Sequence, residues 1–272
     1  MNTSNTSELE KAKAYTETIL KNSLLLLKHC QHGDFDQAKQ VLSEHFINLD
    51  LQDDEGYTAF HYTCIHEDLE MLELLLAKYL VPTLAEDYIN HELEHFVEVQ
   101  DKQEHKTILH YVCEKGLLEF YDKLFMHFPH SVHKVINYST DKGYTALHYA
   151  CENAHHQLLE KLLNLDSLEI NKPNKQGNTA LHLACLHNHL PLVKQVLLHP
   201  QLNINTKNLA GDTPLHIAAK LNHYGSILIV KELLNMRSII PQLKNNRHET
   251  PLDLAKEYNH LEIEALLLKQ AK

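Results

Sequence analysis

The sequence of 272 residues lacks the features that mark membrane and catalytic proteins. Its longest apolar run near the N-terminus, Leu24 to Leu27, is far shorter than a membrane-spanning helix of roughly 20 residues or the apolar region of a signal peptide. We therefore expect a soluble protein with no membrane insertion. No P-loop, G-x-G-x-x-G or nucleophile motif occurs, so the common catalytic classes have little support.

Basic charge is also scarce. The 25 Lys and Arg face 36 Asp and Glu, which gives a net charge of -11, and no basic run interrupts this acidic balance. Nucleic-acid binding needs a basic surface that displaces counterions, so we expect no nucleic-acid partner. An acidic surface favours a partner with basic character, although most of these charges are expected to be ordinary solvated surface.

The sequence does contain one four-residue motif, which occurs in six versions. They are Thr58-Ala-Phe-His61, Thr107-Ile-Leu-His110, Thr145-Ala-Leu-His148, Thr179-Ala-Leu-His182, Thr213-Pro-Leu-His216 and Thr250-Pro-Leu-Asp253. The steps between their threonines are 49, 38, 34, 34 and 37 residues. T-P-L-H-x-A at about 33 residues is the ankyrin signature, and the chain resembles that family over nearly its whole length. The resemblance implies an all-α ankyrin-repeat solenoid of stacked helix-turn-helix units with short hairpin loops, and protein binding as its class of function.

Six of the seven glycines agree with this repeat, and only Gly225 lies outside its two glycine positions. Four lie two residues before the signature threonine, at Gly56, Gly143, Gly177 and Gly211. Two more lie between the helices of a repeat, at Gly33 and Gly116. Both positions need positive φ, which glycine adopts without steric penalty. Asn is the next-best residue for that geometry, and it takes the inter-helix position at Asn188, Asn222 and Asn259.

The five cysteines share one column of the repeat alignment. They are Cys30, Cys64, Cys113, Cys151 and Cys185. Successive units stack about 10 Å apart, whereas a disulfide needs Cα atoms within roughly 7 Å of each other. We therefore expect reduced core thiols and a reducing, cytoplasmic compartment. No C-x-x-C occurs, which argues against a redox pair or a zinc cage.

Residues 1–47 are predicted to form an N-terminal helix and a degenerate capping repeat. Ser7-Glu8-Leu9-Glu10 matches a capping box, which predicts a helix from Ser7 toward Leu27. Residues 23–32 and 34–45 then resemble the two helices of a repeat. Residues 48–272 form the repeat array, with an inserted helix at about 82–100 and a C-terminal capping repeat.

The insertion contains the one motif that favours an enzyme. His91-Glu92-Leu93-Glu94-His95 matches H-E-x-x-H, in which two histidines bind zinc and the glutamate acts as a general base. The extended form of the motif needs a third histidine where the chain has Asp101, and no sheet is predicted to hold a cleft. We expect an inserted amphipathic helix with no catalytic residue, metal or cofactor. A metal-dependent hydrolase at this segment is the alternative function.

The signature is least regular in the first half of the chain. Phe60 replaces its leucine, Val112 its first alanine, and His105 the glycine of the hairpin. Together with the insertion, these departures argue against a regular hairpin between the first and second clear repeats. They mark this region as the specialised one. The signature histidines, by contrast, have a scaffold role in the family: they hydrogen-bond the backbone and the threonine hydroxyl at the first-helix start.

The resemblance places partner binding on the hairpin tips and on the concave side of the first helices. The tip residues are Tyr57, Tyr144, Asn178 and Asp212, whose side chains are expected to stand free of the core. The first-helix residues are Ile65, His66, Glu152, Asn153, Leu186, His187, Lys220 and Leu221. Leu186 and Leu221 lie on neighbouring repeats with Tyr144 one unit away, which predicts a contiguous apolar patch.

The sequence thus predicts a monomeric, non-enzymatic adaptor that binds a protein partner in the cytoplasm. Its C-terminal Glu262-x-Glu264 followed by Leu266 to Leu268 somewhat resembles ankyrin proteins that intracellular bacteria inject into host cells. A secreted effector acting in the host cytosol is the corresponding hypothesis. A structural adaptor within an oligomer is a further alternative.

Overall fold

The computed structural model describes residues 3–43, 47–80, 95–221 and 224–270. Within these ranges the regular structure is entirely helical. The chain divides into two compact units, Met1–Val135 and Ile136–Lys272. The sequence predicted a boundary at residue 47 and did not predict this division. Among the described residues, no helix combines the length and the apolar character that crossing a membrane requires.

The first unit, residues 1–135, contains eight described helices. They are α1 (Thr3–His32), α2 (Phe35–Leu42), α3 (Ala59–His66), α4 (Leu69–Leu80), α5 (His95–Glu98), α6 (Ile108–Lys115), α7 (Leu118–His127) and α8 (Pro129–Val135). The first helices of its repeats, α1, α3 and α6, pack in succession, and α2, α4 and α7 form the layer behind them. Each pair is a helix-turn-helix repeat.

The second unit, residues 136–272, contains four repeats. Their helices are α9 (Ala146–Glu152), α10 (His156–Leu163), α11 (Ala180–Leu186), α12 (Leu190–Leu197), α13 (Pro214–Lys220), α14 (Tyr224–Asn235), α15 (Pro251–Glu257) and α16 (Leu261–Gln270). The odd-numbered helices form one layer and the even-numbered helices form the other. The expected fold class, an all-α stack of helix-turn-helix repeats, is therefore confirmed within each unit.

The N-terminal helix differs from its prediction. α1 runs without a break from Thr3 to His32, so the predicted N-terminal helix and the first helix of the degenerate repeat are one helix. The predicted start at Ser7 is wrong. A capping box is a local signal, and residues 3–6 contain no glycine or proline that would stop the helix before it.

Five first helices, α3, α6, α9, α11 and α13, start with the same threonine–histidine pair, and α15 has Asp253 in place of the histidine. The backbone N–H of Thr179 donates to His182 Nδ1 at 3.1 Å, and its hydroxyl lies 2.9 Å from the same nitrogen. Since Nδ1 accepts, the neutral ring carries its proton on Nε2. That nitrogen donates to the backbone oxygen of Asp212 in the next repeat, at 3.1 Å. One side chain therefore caps its own helix and joins two repeats.

The same bridge recurs in the second unit and weakens in the first. His148 Nε2 donates to Asn178 O at 3.0 Å, and His216 Nε2 donates to Glu249 O at 3.1 Å. His61 Nε2 faces backbone oxygens that follow the inserted segment, yet it makes no hydrogen bond among the described residues. The 49-residue step thus costs the first unit one repeat-to-repeat hydrogen bond.

The hairpin tips interlock through their backbones. Lys175 N donates to Lys142 O, and Leu209 N donates to Gln176 O, both at 3.0 Å. This close approach explains the glycines more fully than their positive φ does. A Cβ on Gly177, whose φ is 78°, would lie 2.6 Å from Leu209 N. The residue must therefore be glycine for contact reasons as well as conformational ones.

The second tip does close as a hairpin, but it departs from the regular form in its length and in its missing glycine. Asp101 N donates to Lys106 O at 2.9 Å, which closes this tip as Asp53 N and Tyr57 O close the first. The tip is one residue longer, and His105 takes the glycine conformation with φ at 56°. Asp101 Oδ1 accepts two backbone N–H groups of the tip, as Asp53 and Asn174 do in tips that contain glycine.

Phe60 departs from the signature because it packs against the end of the insertion. Its ring stacks on Phe96 of α5, with centroids 3.9 Å apart, and the ring edges of Tyr79 and Phe128 complete the cluster. Phe60 and Phe96 are fully buried. The predicted inserted helix falls mostly on residues 81–94, outside the described residues, but its end is part of the core of this unit.

An additional short helix accounts for the 38-residue step. α8 follows α7 directly and packs against α5. Lys134 of α8 forms an ion pair with Glu98 of α5 at 2.6 Å. The sequence analysis missed this helix, because seven residues that begin at Pro129 carry too short a pattern to indicate one.

The cysteine column lies in the core. All five thiols are free and buried, one in each first helix from α1 to α11. Burial raises the pKa of Cys30 and Cys151 to about 12 and that of the other three further still. The thiols are therefore protonated at neutral pH and poor nucleophiles.

We expect native thiol labelling to be slow and to accelerate strongly on unfolding, because neither access nor thiolate is available in the folded protein. The measurement is the reaction rate with a disulfide reagent, with and without urea. Rapid labelling of several thiols in the native protein would show that the column is not in the core.

Replacing Gly177 by Ala should destabilise the protein by about 1 to 3 kcal/mol, because the new Cβ meets the backbone of the next tip. Urea denaturation measures the change. The matched control is His248→Gly, since His248 occupies the same position with φ at 63° and glycine relieves that conformation. This control should not destabilise, and an unchanged stability of Gly177→Ala would contradict the described tip contact.

The histidine bridges predict acid sensitivity. Burial lowers the pKa of His61, His148 and His182 to about 4, whereas the unfolded value is near 6.5. Below pH 6.5 the unfolded chain takes up protons that the folded protein does not. The free energy of unfolding should therefore fall by on the order of several kcal/mol as the pH falls from about 6.5 toward 4.

Urea denaturation at a series of pH values tests this dependence. His182→Asn should lower the stability at pH 7 and make the pH dependence shallower, because one proton uptake is lost. The idea fails if stability is flat between about pH 7 and 5, or if the variant retains the slope of the unsubstituted protein.

Candidate partner-binding face

Two columns of side chains meet on the first-helix side of each unit. The tip column is the residue before the signature threonine: Tyr57, Lys106, Tyr144, Asn178, Asp212 and Glu249. The helix column lies seven residues after that threonine: Ile65, Glu114, Glu152, Leu186, Lys220 and Glu257. The tip leads directly into the helix, so the two columns approach each other within a repeat.

In most repeats the tip-column side chain makes a polar contact with the helix-column side chain. Lys106 Nζ lies 2.9 Å from a carboxylate oxygen of Glu114, and Lys220 Nζ lies 2.5 Å from Asp212 Oδ2. Tyr144 donates its hydroxyl to Glu152 at 3.4 Å. These polar groups are already satisfied within the protein and are poor candidates for strong partner contacts.

In the last repeat Arg247 connects the columns. Its Nε lies 2.8 Å from Glu249, and its Nη2 lies 3.9 Å from Glu257. Three of the four repeats of the second unit therefore carry a polar tip-to-helix contact. The exception is the repeat of Asn178 and Leu186.

The expected exposure of the tip side chains is wrong for Tyr57 and Asp212, which are buried. Tyr57 packs beside Tyr62 and Tyr111, and its hydroxyl accepts a hydrogen bond from Tyr111. Asp212 accepts from Asn245 at 2.9 Å and from Lys220. Burial alone would raise the pKa of Asp212, but these hydrogen bonds outweigh it and lower the pKa. Both residues are held by long-range contacts that the sequence did not reveal.

The other predicted residues of the first unit also serve its packing. His66 Nε2 lies 3.1 Å from the backbone oxygen of Gln31, and its ring meets Phe35 edge-on. Ile65 is half-buried. His66 is the one exposed residue among those predicted for this unit, so the larger set of accessible predicted residues lies in the second unit.

Leu186 is the exposed aliphatic residue of the second unit's helix column. Its side chain is 44 % exposed at the end of α11. Leu221, on the neighbouring repeat, is half-buried at the end of α13. Tyr144 is also half-buried, so Leu186 is the most exposed of the three residues of the predicted apolar patch.

Sequence reasoning missed Leu209, which is 71 % exposed at a hairpin tip. Its backbone is held on both sides, because its N–H donates to Gln176 O and its oxygen accepts from Asn246 Nδ2 at 2.9 Å. A large apolar side chain on a fixed backbone can bind with little loss of conformational entropy. The available signal was an aliphatic residue at a tip position that is polar in the other repeats.

Polar groups border Leu186 on one side. His187 Nε2 lies 3.6 Å from Glu152 Oε1, and the ring of His187 stacks on His189 with centroids 5.9 Å apart. Asn153 is exposed and hydrogen-bonds the backbone of its own helix. An exposed leucine with polar neighbours has the composition of an interaction hot spot and its rim.

The described residues contain no group of three or more side chains arranged to hold a metal ion. This observation does not test the H-E-x-x-H segment, because His91 to Glu94 lie outside the described residues. His95 begins α5, and its side chain is likewise not described. The hydrolase alternative stays a prediction from the sequence.

Comparison of the sequence with protein-family models identifies the family of this chain. A model of ankyrin repeats (3 copies) matches residues 80–172, 123–208 and 192–272, and a model of ankyrin repeats (many copies) matches residues 26–76. The chain is an ankyrin-repeat protein. Ankyrin repeats are generally protein–protein interaction modules, so a protein-binding face is the relevant site of this ankyrin-repeat protein. A search of curated proteins found no match.

Proposed function

We propose that this ankyrin-repeat protein is a non-enzymatic adaptor that binds a protein partner through the first-helix face of residues 136–272. The observation that supports the proposal is the exposure of Leu186 in a face whose other helix-column positions contact polar tip residues. The polar side chains around Leu186 already contact each other. Covering the exposed leucine is therefore the contact that should contribute most to the free energy of partner binding.

The proposed contact surface consists of Leu186, Leu209 and Leu221, bordered by His187 and Lys220. Leu186 and Leu221 end neighbouring first helices, and the tip of Leu209 is bonded to the tip of the Leu186 repeat. A partner should present an apolar side chain to Leu186 and polar groups to the border. Tyr144, Glu152, Asn153 and Asn178 extend the surface as weaker polar contacts.

We place this function in the cytoplasm, where the five thiols stay reduced. Delivery into a host cell as a bacterial effector stays a prediction from the C-terminal resemblance. Membership of the ankyrin-repeat family does not specify a compartment or a route of delivery, so the cytoplasmic location and the effector role are both proposals.

Leu186→Arg should abolish capture of the partner, because it puts an unpaired charge where an apolar contact forms. The free energy of unfolding should change by less than about 0.5 kcal/mol, since the side chain is exposed. The measurement compares proteins retained from a cytosolic extract by the unsubstituted protein and by the variant, and then the affinity of a purified captured protein for each.

Leu198→Arg is the matched control. Leu198 is 84 % exposed at the end of α12, in the second-helix layer, so the substitution has the same chemistry outside the proposed face. Binding should survive it. Normal binding by Leu186→Arg together with lost binding by Leu198→Arg would place the interface on the second-helix side and overturn the proposal.

A further inference from the structure

The first half of α1 is only partly covered within the described structure. From Glu10 to Asn22 none of the described side chains is buried, and the core contacts of the helix begin at Ser23. Isolated helices of this length are marginal in water, because nucleation is costly and tertiary packing supplies most helical stability. Leu20 and Leu24 are each 50 % exposed on this helix. A helix with such an exposed surface is suited to packing against another helix.

The exposed side of α1 carries a regular seam. Its residues follow the alternating spacing of four and three that defines the a and d positions of a heptad. They are Glu10, Ala14, Glu17, Lys21, Leu24 and Lys28, all exposed. Leu20 and Leu25 border the seam, and a shallow groove on this face is lined by both. The buried residues Ser23, Leu26 and Cys30 lie on the other side of the helix.

The order of residues in this seam is self-complementary. When a second copy of the seam runs in the opposite direction, Glu10 lies opposite Lys28, Ala14 opposite Leu24, and Glu17 opposite Lys21. Each pair then occurs twice, because a two-fold axis relates the copies. We propose that α1 pairs with α1 of a second copy of this chain in an antiparallel helix pair, with residues 10–28 as the interface.

The charges of the seam favour this occupant over others. The side chains of Glu10, Glu17, Lys21 and Lys28 make no hydrogen bond or ion pair with the described residues. A parallel pair would put like charges opposite each other at all four positions. A uniformly basic or acidic partner would match half the seam and repel the other half. The antiparallel second copy satisfies every charge and places a small residue opposite each Leu24.

The interface is short, which sets its expected strength. Residues 10–28 span about 27 Å of helix, and only the leucines and Ala14 contribute apolar contact. Exposed ion pairs add about 0.2 to 1 kcal/mol each and are weakened by salt. We therefore expect a reversible dimer whose association weakens at high salt.

Pairing through α1 does not use the candidate face of residues 136–272. A dimer would therefore carry two copies of that face and could gain avidity for a partner that presents two sites. This inference is independent of the proposed function, since each could fail alone. It replaces the sequence-based expectation of a monomer.

Analytical ultracentrifugation of the full chain over a concentration series tests the pairing. The unsubstituted protein should dimerise reversibly. Glu17→Lys and Lys21→Glu should each raise the dimer dissociation constant by about tenfold or more, because each puts like charges opposite each other twice. The double variant with both substitutions should regain the dimer.

Mixing the two single variants gives the sharpest result. The antiparallel register pairs position 17 with position 21 of the other copy, so a heterodimer of the two variants has opposite charges at both places. The mixture should associate more tightly than either variant alone. Leu24→Glu should also weaken the dimer, whereas Leu198→Glu, an equally non-conservative change in the second unit, should leave it intact.

The proposal is overturned if the protein is monomeric at all concentrations. It is also overturned if the mixed single variants associate no better than each alone, since that result rules out the register. Circular dichroism of each variant confirms that residues beyond the seam stay folded. Loss of the dimer with unchanged capture of the protein partner would separate this surface from the proposed function.

Discussion

The structure depends on a neutral histidine that accepts on one ring nitrogen and donates from the other. Within a repeat, Nδ1 takes the free N–H of the threonine that starts the first helix. Between repeats, Nε2 donates to a backbone oxygen, as His182 does to Asp212 at 3.1 Å. The bond to Nδ1 requires a ring without charge, because a protonated Nδ1 cannot accept, and burial supplies that condition by lowering the pKa. The interaction thus couples helix initiation to repeat stacking.

The close stacking of repeats determines which residues can occupy the hairpin tips and the space between neighbouring first helices. A tip that receives a backbone hydrogen bond from the next tip leaves no space for a side chain, as at Gly177 and Gly211. The column of cysteines fills the narrow space between first helices, where a small apolar group fits. These two constraints recur because every repeat sees the same neighbours, which is the basis of solenoid stability.

The least regular part of the chain follows the same rules with different residues. Phe60 occupies the place of the signature leucine because the returning segment brings Phe96 against it. Asp101 closes a tip without glycine, while His61 loses its bridge to the next repeat. A departure from the signature here reflects a local packing partner. It does not by itself indicate a binding site.

The candidate face depends on the first-helix and tip side chains that make no polar contact within their own repeat. Tip and helix columns neutralise one another in most repeats of the second unit, so the surface offers few free charges. Leu186 and Leu209 are therefore the side chains that we propose a partner recognises. In the first unit, the exposed side of α1 carries charges that the proposed pairing with a second copy would match with opposite charges.

The sequence by itself determined the repeat fold, the starts of the six helices that follow the signature threonines, the glycines with positive φ and the cysteine column. Each of these rests on contacts within a few residues, such as Thr179 with His182, or on a period that repeats regularly. Only the tertiary structure decided which predicted face residues are accessible. Tyr57 is buried by Tyr111, 54 residues away, and Asp212 is held by Asn245, 33 residues away. Exposure depends on neighbours brought together by stacking, and a local pattern carries no record of them.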